Sequence, residues 1–159
     1  MKRSVGRLVT VALLCAGGAA VAAGGGGEGA GSSAPADPAI AQAQEAIARQ
    51  DWSAAQEVMK QALAANPKSA EYHNLYAYST RKGASPDMNL VFRHYNEALR
   101  LNPKHLGAHE YIGEAYLAVD DLAKAKEHLA ALDRLCFFGC EEYTDLKKAV
   151  AAYEAGGKR

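Results

Sequence analysis

Residues 95–103 read YNEALRLNP, and residues 59–67 read MKQALAANP, so that Pro67 and Pro103 lie 36 residues apart. In both stretches an alanine, Ala62 or Ala98, lies between larger apolar residues, and both stretches end in an Asn-Pro pair. Because proline has no amide hydrogen to donate and biases the preceding residue out of helical geometry, each pair predicts the end of a helix. Two such ends, separated by a period between about 20 and 50 residues, predict a solenoid of paired helices.

The composition around these stretches supports helices throughout. From Ala39 onward it switches to alanine, leucine, tyrosine and charged residues, without an alternating pattern of useful length. In the last helix the acids come first and the lysines follow, which suits the helix dipole, and we expect this helix to cap the core. The predicted helices are Asp37–Arg49, Ser53–Ala65, Ser69–Lys82, Asp87–Leu101, Leu106–Val119, Leu122–Leu135 and Glu141–Glu154.

These units resemble the tetratricopeptide repeat family, whose members average ~34 residues and end in proline after the second helix. Small residues at fixed positions carry the likeness, because they let two helices approach closely. The resemblance implies an all-α, right-handed helical solenoid over residues 37–157, with repeats at about 36–69, 70–105 and 106–139 and a capping helix at 140–155. The small positions are Ala43, Ala55, Ala77, Gly113 and Ala125.

The three units depart from the family pattern in different ways. The first helix of the first unit lacks the favoured tryptophan, leucine and tyrosine. The second unit has two extra residues around Gly83–Asp87, and in the third Phe137 replaces the terminal proline.

The N-terminal segment predicts export. Lys2, Arg3 and Arg7 precede the apolar run Leu8–Leu14, and small residues at 19–23 suit cleavage after Ala22 or Ala23. This is the pattern of a secretory signal peptide, here residues 1–23, followed by a flexible Gly/Ser/Pro-rich linker at 24–36. We expect a periplasmic or secreted protein without stable membrane insertion after cleavage. An uncleaved anchor is the alternative, whereas Leu14 disfavours lipid attachment at Cys15.

Charge argues against a nucleic-acid partner. The whole chain has 18 Lys and Arg against 18 Asp and Glu. Cleavage would remove three basic residues and no acidic one, which leaves 15 against 18 and a net charge of −3. A mildly acidic domain without a basic stripe lacks the electrostatic pattern that binds nucleic acid or an anionic membrane.

The resemblance also implies a concave groove lined by the first helices of the repeats. Ile40 and Gln44 stand where the family's carboxylate clamp needs lysine and asparagine, so that clamp is not expected. In the predicted site Asn74 can hold a peptide amide, Tyr78 can stack, and Arg81 with Lys82 can take a carboxylate. Ordinary surface polarity is the alternative for each position. The groove positions are Asp37, Ile40, Gln44, Ile47, Glu71, Asn74, Tyr78, Arg81, Lys82, Glu110, Glu114 and Leu117; the predicted partner-binding residues among them are Asn74, Tyr78, Arg81, Lys82, Glu110 and Glu114.

Cys136-Phe137-Phe138-Gly139-Cys140 stands where the earlier units turn with Asn-Pro. In an exported chain an even pair of cysteines favours a structural disulfide, with Gly139 ending the helix. A redox-active dithiol and a copper or zinc site with His128 are the alternatives, although we expect His128 to be solvated.

No catalytic set accompanies these features. His105 and His109 share one helix face, but the glutamate of a zinc-protease motif is missing, and no phosphate-binding loop or serine elbow is present. We therefore predict no enzyme activity, no cofactor and no metal. The predicted function is a non-catalytic periplasmic adaptor or scaffold that binds a protein or peptide partner. A periplasmic redox or copper-handling factor that uses Cys136 and Cys140 is the alternative, and self-assembly is a third possibility.

Overall fold

The computed structural model describes residues 37–156, which form seven α-helices and no β-strand. All helices begin and end within one residue of the predicted limits, and the last two match them. The predicted signal peptide at 1–23 and the whole predicted linker at 24–36 lie outside the described residues. The helices are α1 (Pro38–Ala48), α2 (Trp52–Ala65), α3 (Ala70–Lys82), α4 (Met88–Leu101), α5 (Leu106–Ala118), α6 (Leu122–Leu135) and α7 (Glu141–Glu154).

The one-residue differences at the helix starts come from capping. Asp37, Ser69 and Asp87 each place a side-chain oxygen on backbone amides of the first turn, while their own backbone is extended. A capping residue of this kind satisfies an amide that has no partner within the helix, and it stands just outside the helix itself.

The helices of the first two units end as the Asn-Pro pairs predict. Asn66 and Asn102 leave helical geometry with φ of −137° each, and their amides donate to Ala62 and Ala98. Cys136 occupies the same place at the end of α6, where its amide donates to Leu132. The cysteine turn thus replaces the Asn-Pro turn.

Two of the turns within repeats are also built alike. Gln50, between α1 and α2, and Asp120, between α5 and α6, adopt left-handed φ values of 58° and 61°. Each precedes an aspartate, Asp51 or Asp121, that caps the following helix. The repetition is therefore visible in backbone geometry as well as in sequence.

The core confirms the role of the small residues. Ala43, Ala55, Ala77 and Ala125 are completely buried. A Cβ atom added to Gly113 would lie 2.6 Å from a side-chain carbon of Leu146, so only glycine leaves room for α7 against α5.

Three clusters of buried side chains follow one another along the solenoid. The first centres on Met59, the second on Tyr95 and Ile112, and the third on Leu132 and Leu146. Each helix packs against the next, and α7 packs against both α5 and α6. Since α7 contributes Leu146 to the third cluster, it acts as the predicted cap. Within residues 37–156, no helix has the length and hydrophobicity that a membrane span requires.

Candidate functional site

Part of the predicted groove lies where α1, α3, α5 and α7 face one another. A cavity of about 370 Å³ opens there, and five predicted positions line it: Gln44, Ile47, Glu71, Asn74 and Tyr78. The other residues that line it include His105, Gly107, Tyr111 and Glu142, none of which the sequence predicted as a groove position.

A second cavity, of about 240 Å³, adjoins the first. The two share Gly107, Tyr111 and Glu142, and the second adds Glu110 from α5 together with Glu141 and Asp145 from α7. The capping helix therefore forms one wall of the groove. For convenience we call these two adjoining cavities the acidic groove, lined by Gln44, Ile47, Ala48, Glu71, Asn74, Leu75, Tyr78, His105, Gly107, Glu110, Tyr111, Glu141, Glu142 and Asp145.

The remaining predicted binding residues lie in a separate cavity of about 490 Å³ between α3, α5 and α7. Arg81, Lys82 and Glu114 line it, with Leu117 and Lys148. The structure thus divides the six predicted binding residues between the acidic groove, which contains Asn74, Tyr78 and Glu110, and this cationic end.

The outermost predicted positions have structural partners. Asp37 caps α1 and also accepts a hydrogen bond of 2.6 Å from the hydroxyl of Tyr72. This hydrogen bond is the main cause that lowers the pKa of Asp37. Ile40 packs against the first core cluster.

Asn74 is buried in the wall of the acidic groove. Its side chain is only 3% exposed, and among the described residues Oδ1 accepts no hydrogen bond. A buried carbonyl oxygen without a donor costs about 1–3 kcal/mol. Asn74 Oδ1 therefore lacks the partner that a buried acceptor normally has.

Arg81 is already paired within the fold. Its guanidinium donates to Glu114 Oε2 at 2.6 Å and lies 5.6 Å from the ring centroid of Tyr78. The arginine side chain is 12% exposed, so the pair is largely shielded from water. A ligand carboxylate would have to compete with Glu114 for this arginine. Lys82 is more exposed and lies near the ring of Trp52.

The carboxylates of the acidic groove are crowded. Burial raises the pKa of Glu110 to about 8, and repulsion from Glu114, Asp145 and Glu142 adds to the shift. Both causes disfavour the charged form of the carboxyl. No lysine or arginine of the described chain lines either cavity of the acidic groove.

Glu71 contacts a histidine at the start of α5. Nδ1 of His105 accepts the amide of Ala108 and so carries no proton. The ring proton is therefore on Nε2, which lies 2.8 Å from Glu71 and donates to it. This contact orients the Glu71 carboxylate toward α5.

The rings of Tyr78 and Tyr111 form an aromatic wall of the acidic groove, between these polar groups. Tyr78 and Tyr111 have ring centroids 4.6 Å apart, and Trp52 packs edge-on against Tyr78 at 6.1 Å. Burial raises the pKa of Tyr78 and that of Tyr111, so both phenols stay protonated at neutral pH. Faces of this kind attract cations and the stems of long side chains.

Cys136 and Cys140 lie at disulfide-bonding distance, with their Cα atoms 5.6 Å apart. Gly139 between them has φ of +84°, the left-handed geometry that favours glycine, and Cys140 caps α7. The pair thus joins the end of α6 to the start of α7. The two phenylalanines within the turn, Phe137 and Phe138, are 88% and 98% exposed.

The expectation that His128 is solvated is wrong. The ring is half-buried, its Nδ1 lies 3.0 Å from Nδ1 of His109, and it stacks on Tyr116. It packs there because α6 runs beside α5 within the third repeat. Within residues 37–156, no group of three or more His, Cys, Asp or Glu side chains is arranged to hold a metal ion.

A second histidine pair repeats this geometry one unit earlier. His73 and His94 have Nδ1 atoms 2.8 Å apart, and His73 Nε2 lies 3.0 Å from the carbonyl of Pro67, as His109 Nε2 lies 3.1 Å from that of Pro103. The sequence predicted no role for His73 or His94. The signal was present, because His73 and His109 are separated by the same 36 residues as the two prolines.

Comparison with known proteins identifies the fold. No protein-family model matches the sequence, and no curated protein matches it. The TPR2B domain of yeast Sti1, described in complex with pHsp70, matches with a TM-score of 0.64 and 21% identity over 76% of this chain and 95% of that one. The first TPR of Spaghetti (RPAP3), described as bound to the HSP90 peptide SRMEEVD, matches with a TM-score of 0.60 and 18% identity over 73% and 93%.

Proposed function

Since the chain has the tetratricopeptide repeat fold, we propose that it is a non-catalytic protein-interaction module that holds a segment of a partner protein in its concave groove. The two matched domains are both described with a bound partner or peptide, which supports the same use of the fold here. The observation that carries the proposal is the buried Asn74, whose Oδ1 has no donor among the described residues and which lines an open cavity between four helices.

An acidic chain terminus is not the expected ligand. The peptide described with RPAP3 contains the acidic run EEVD. In this chain Ile40 and Gln44 provide no cation on α1, and Arg81 is held by Glu114. A carboxylate would therefore meet a groove without an available basic clamp.

Peptide selection tests the groove. A random peptide library displayed on phage is panned against the purified protein, and the affinities of the enriched peptides are measured by fluorescence anisotropy. The Asn74→Leu variant is expected to lose about tenfold in affinity, because the peptide loses a buried acceptor. Asn96→Leu, on the exposed side of α4, is the control and should bind as the parent does. Equal binding by both variants would place the ligand outside the groove.

The proposed site of action is the periplasm or the extracellular space. The basic and apolar N-terminus and the even cysteine pair support this location. Fractionation of cells that produce the full chain with a C-terminal tag, followed by N-terminal sequencing, tests it. A mature chain that begins at residue 23 or 24 in the exported fraction is expected, and an intact cytosolic chain would contradict the proposal.

A further inference from the structure

The acidic groove has a charge that a ligand should complement. Five acidic side chains line its two cavities without a lysine or arginine among the described lining residues, and four of them remain after the half-buried Glu110 is set aside. His105 is the only histidine among these lining residues, and both of its ring nitrogens already have partners, the amide of Ala108 and the carboxylate of Glu71. The acidic side chains are Glu71, Glu110, Glu141, Glu142 and Asp145.

An acidic cluster alone is common on helical surfaces, but here a buried acceptor accompanies it. Asn74 is 3% exposed, and its Oδ1 has no donor within the described chain. Glu71 lies three residues before Asn74 on α3, and Glu142 of α7 lines the same cavity as both. These groups all accept hydrogen bonds, so the matching ligand group is one that donates several of them.

The aromatic wall favours a long, cationic side chain in particular. Tyr78 and Tyr111 lie in the same cavity with ring centroids 4.6 Å apart. Ring faces attract a cation, and they also cover the methylene stem of lysine or arginine. A small hydroxyl or amide group would leave this apolar wall uncovered.

We propose that the acidic groove binds a lysine or arginine side chain of the partner, whose N–H groups donate to Asn74 and the carboxylates of Glu71 and Glu142 while its stem lies on Tyr78 and Tyr111. The partner segment is therefore a basic peptide. This inference rests on the proposed function, because it names the ligand class of the same groove.

Three pools of short synthetic peptides test the charge preference. The peptides of all three pools are labelled with fluorescein, acetylated and amidated. The pools differ at one fixed central position among degenerate neighbours: the basic pool has lysine or arginine there, the acidic pool has glutamate or aspartate, and the third has glutamine. Anisotropy titrations with the purified protein should show the basic pool binding at least about tenfold more tightly than the other two. The affinity for the basic pool should fall as salt is added.

Charge-matched variants separate specific recognition from general attraction. Glu142→Gln, in the groove, should weaken binding of the basic pool by about tenfold. Glu127→Gln, on the exposed face of α6, changes the net charge equally and should leave binding unchanged. Because Glu142 lies at the partly exposed surface of α7, this substitution leaves the core intact, and circular dichroism verifies the fold of both variants.

The possible results distinguish this inference from the proposed function. Preference for the glutamine or acidic pool, lost in Asn74→Leu, would overturn the cationic ligand while the groove function stands. Equal weakening by Glu142→Gln and Glu127→Gln would also overturn it, because attraction would then be nonspecific. Failure of every pool to bind would overturn both.

Discussion

Substitution of Gly113 by alanine tests the packing of the capping helix. An added Cβ would lie 2.6 Å and 2.8 Å from the two methyl carbons of Leu146 and 3.3 Å from its Cγ. Leu146 is completely buried among Leu132, Ala125 and Val150, so it has little room to turn away. Overpacking of this kind costs about 1–3 kcal/mol, whereas replacing glycine within a helix gains about 1 kcal/mol.

Gly107, on the same helix, is the matched control. A Cβ there would meet Asn74 Nδ2 at 3.5 Å, which is an ordinary contact. Gly107→Ala should therefore gain helix propensity without a clash and stabilise the protein by about 0.5–1 kcal/mol. We expect Gly113→Ala to unfold at a lower urea concentration than Gly107→Ala, with a difference in unfolding free energy of at least about 1 kcal/mol.

A double-mutant cycle identifies the cause. Leu146→Ala alone should cost about 2–5 kcal/mol, because it empties the third core cluster. In that background Gly113→Ala no longer meets a methyl group, and it should become stabilising by about 1 kcal/mol. The assay is urea denaturation followed by far-UV circular dichroism. If Gly113→Ala is as stable as Gly107→Ala, or if its effect is the same with and without Leu146, the packing argument is refuted.

The pH dependence and the cysteine pair provide the other tests. Burial, with repulsion from the paired histidine, lowers the pKa of His94 and of His128 to about 4. The contribution of these histidines to stability should therefore be full above pH ~6.5. The free energy of unfolding should fall by about 1–2 kcal/mol for each histidine as the pH drops to ~4, after allowance for partial exposure. Thermal melts should show a smaller fall in a variant with asparagine at both positions. The pKa of Glu110 is instead raised to about 8, so stability should be lost as pH rises from ~4.5 to ~8, and Glu110→Gln should melt higher than the parent at pH ~9 but not at pH ~4.5. Reduction of the Cys136–Cys140 pair should cost about 2 kcal/mol, and alkylation without reductant should modify neither cysteine; two modified thiols in freshly purified protein would exclude a structural disulfide.

Much of the fold follows from local chemistry. The Asn-Pro pairs end helices because of the covalent structure of proline, and the aspartates and serine at helix starts act on amides only two or three residues away. The small residues at Ala43, Ala55, Ala77 and Gly113 mark close helix contacts because any larger side chain would hold the helices apart. These features repeat along the chain, so a single sequence is sufficient to find them.

The site depended on contacts across the fold. The resemblance to the tetratricopeptide repeat family predicted Asn74 and Tyr78 on the groove face, but the pairing of Arg81 with Glu114 joins residues 33 positions apart. Similarly, the capping helix could be predicted from its pattern, but not that Glu142 and Asp145 would face Glu110. The charge of the groove therefore depends on which side chains the packing of the helices brings together.

The difference lies in the range of the interactions. Helix ends, caps and small-residue positions arise from interactions within a few residues or from a fixed repeat, and the printed sequence contains both. The histidine pairs, the internal ion pair of Arg81 and the uncompensated carboxylates arise only when the angle between helices brings particular faces together, because burial and neighbouring charge exist only in the folded chain. The sequence by itself therefore determines the helices and their order, whereas the packing of the helices determines the charge and the hydrogen-bonding groups of the groove.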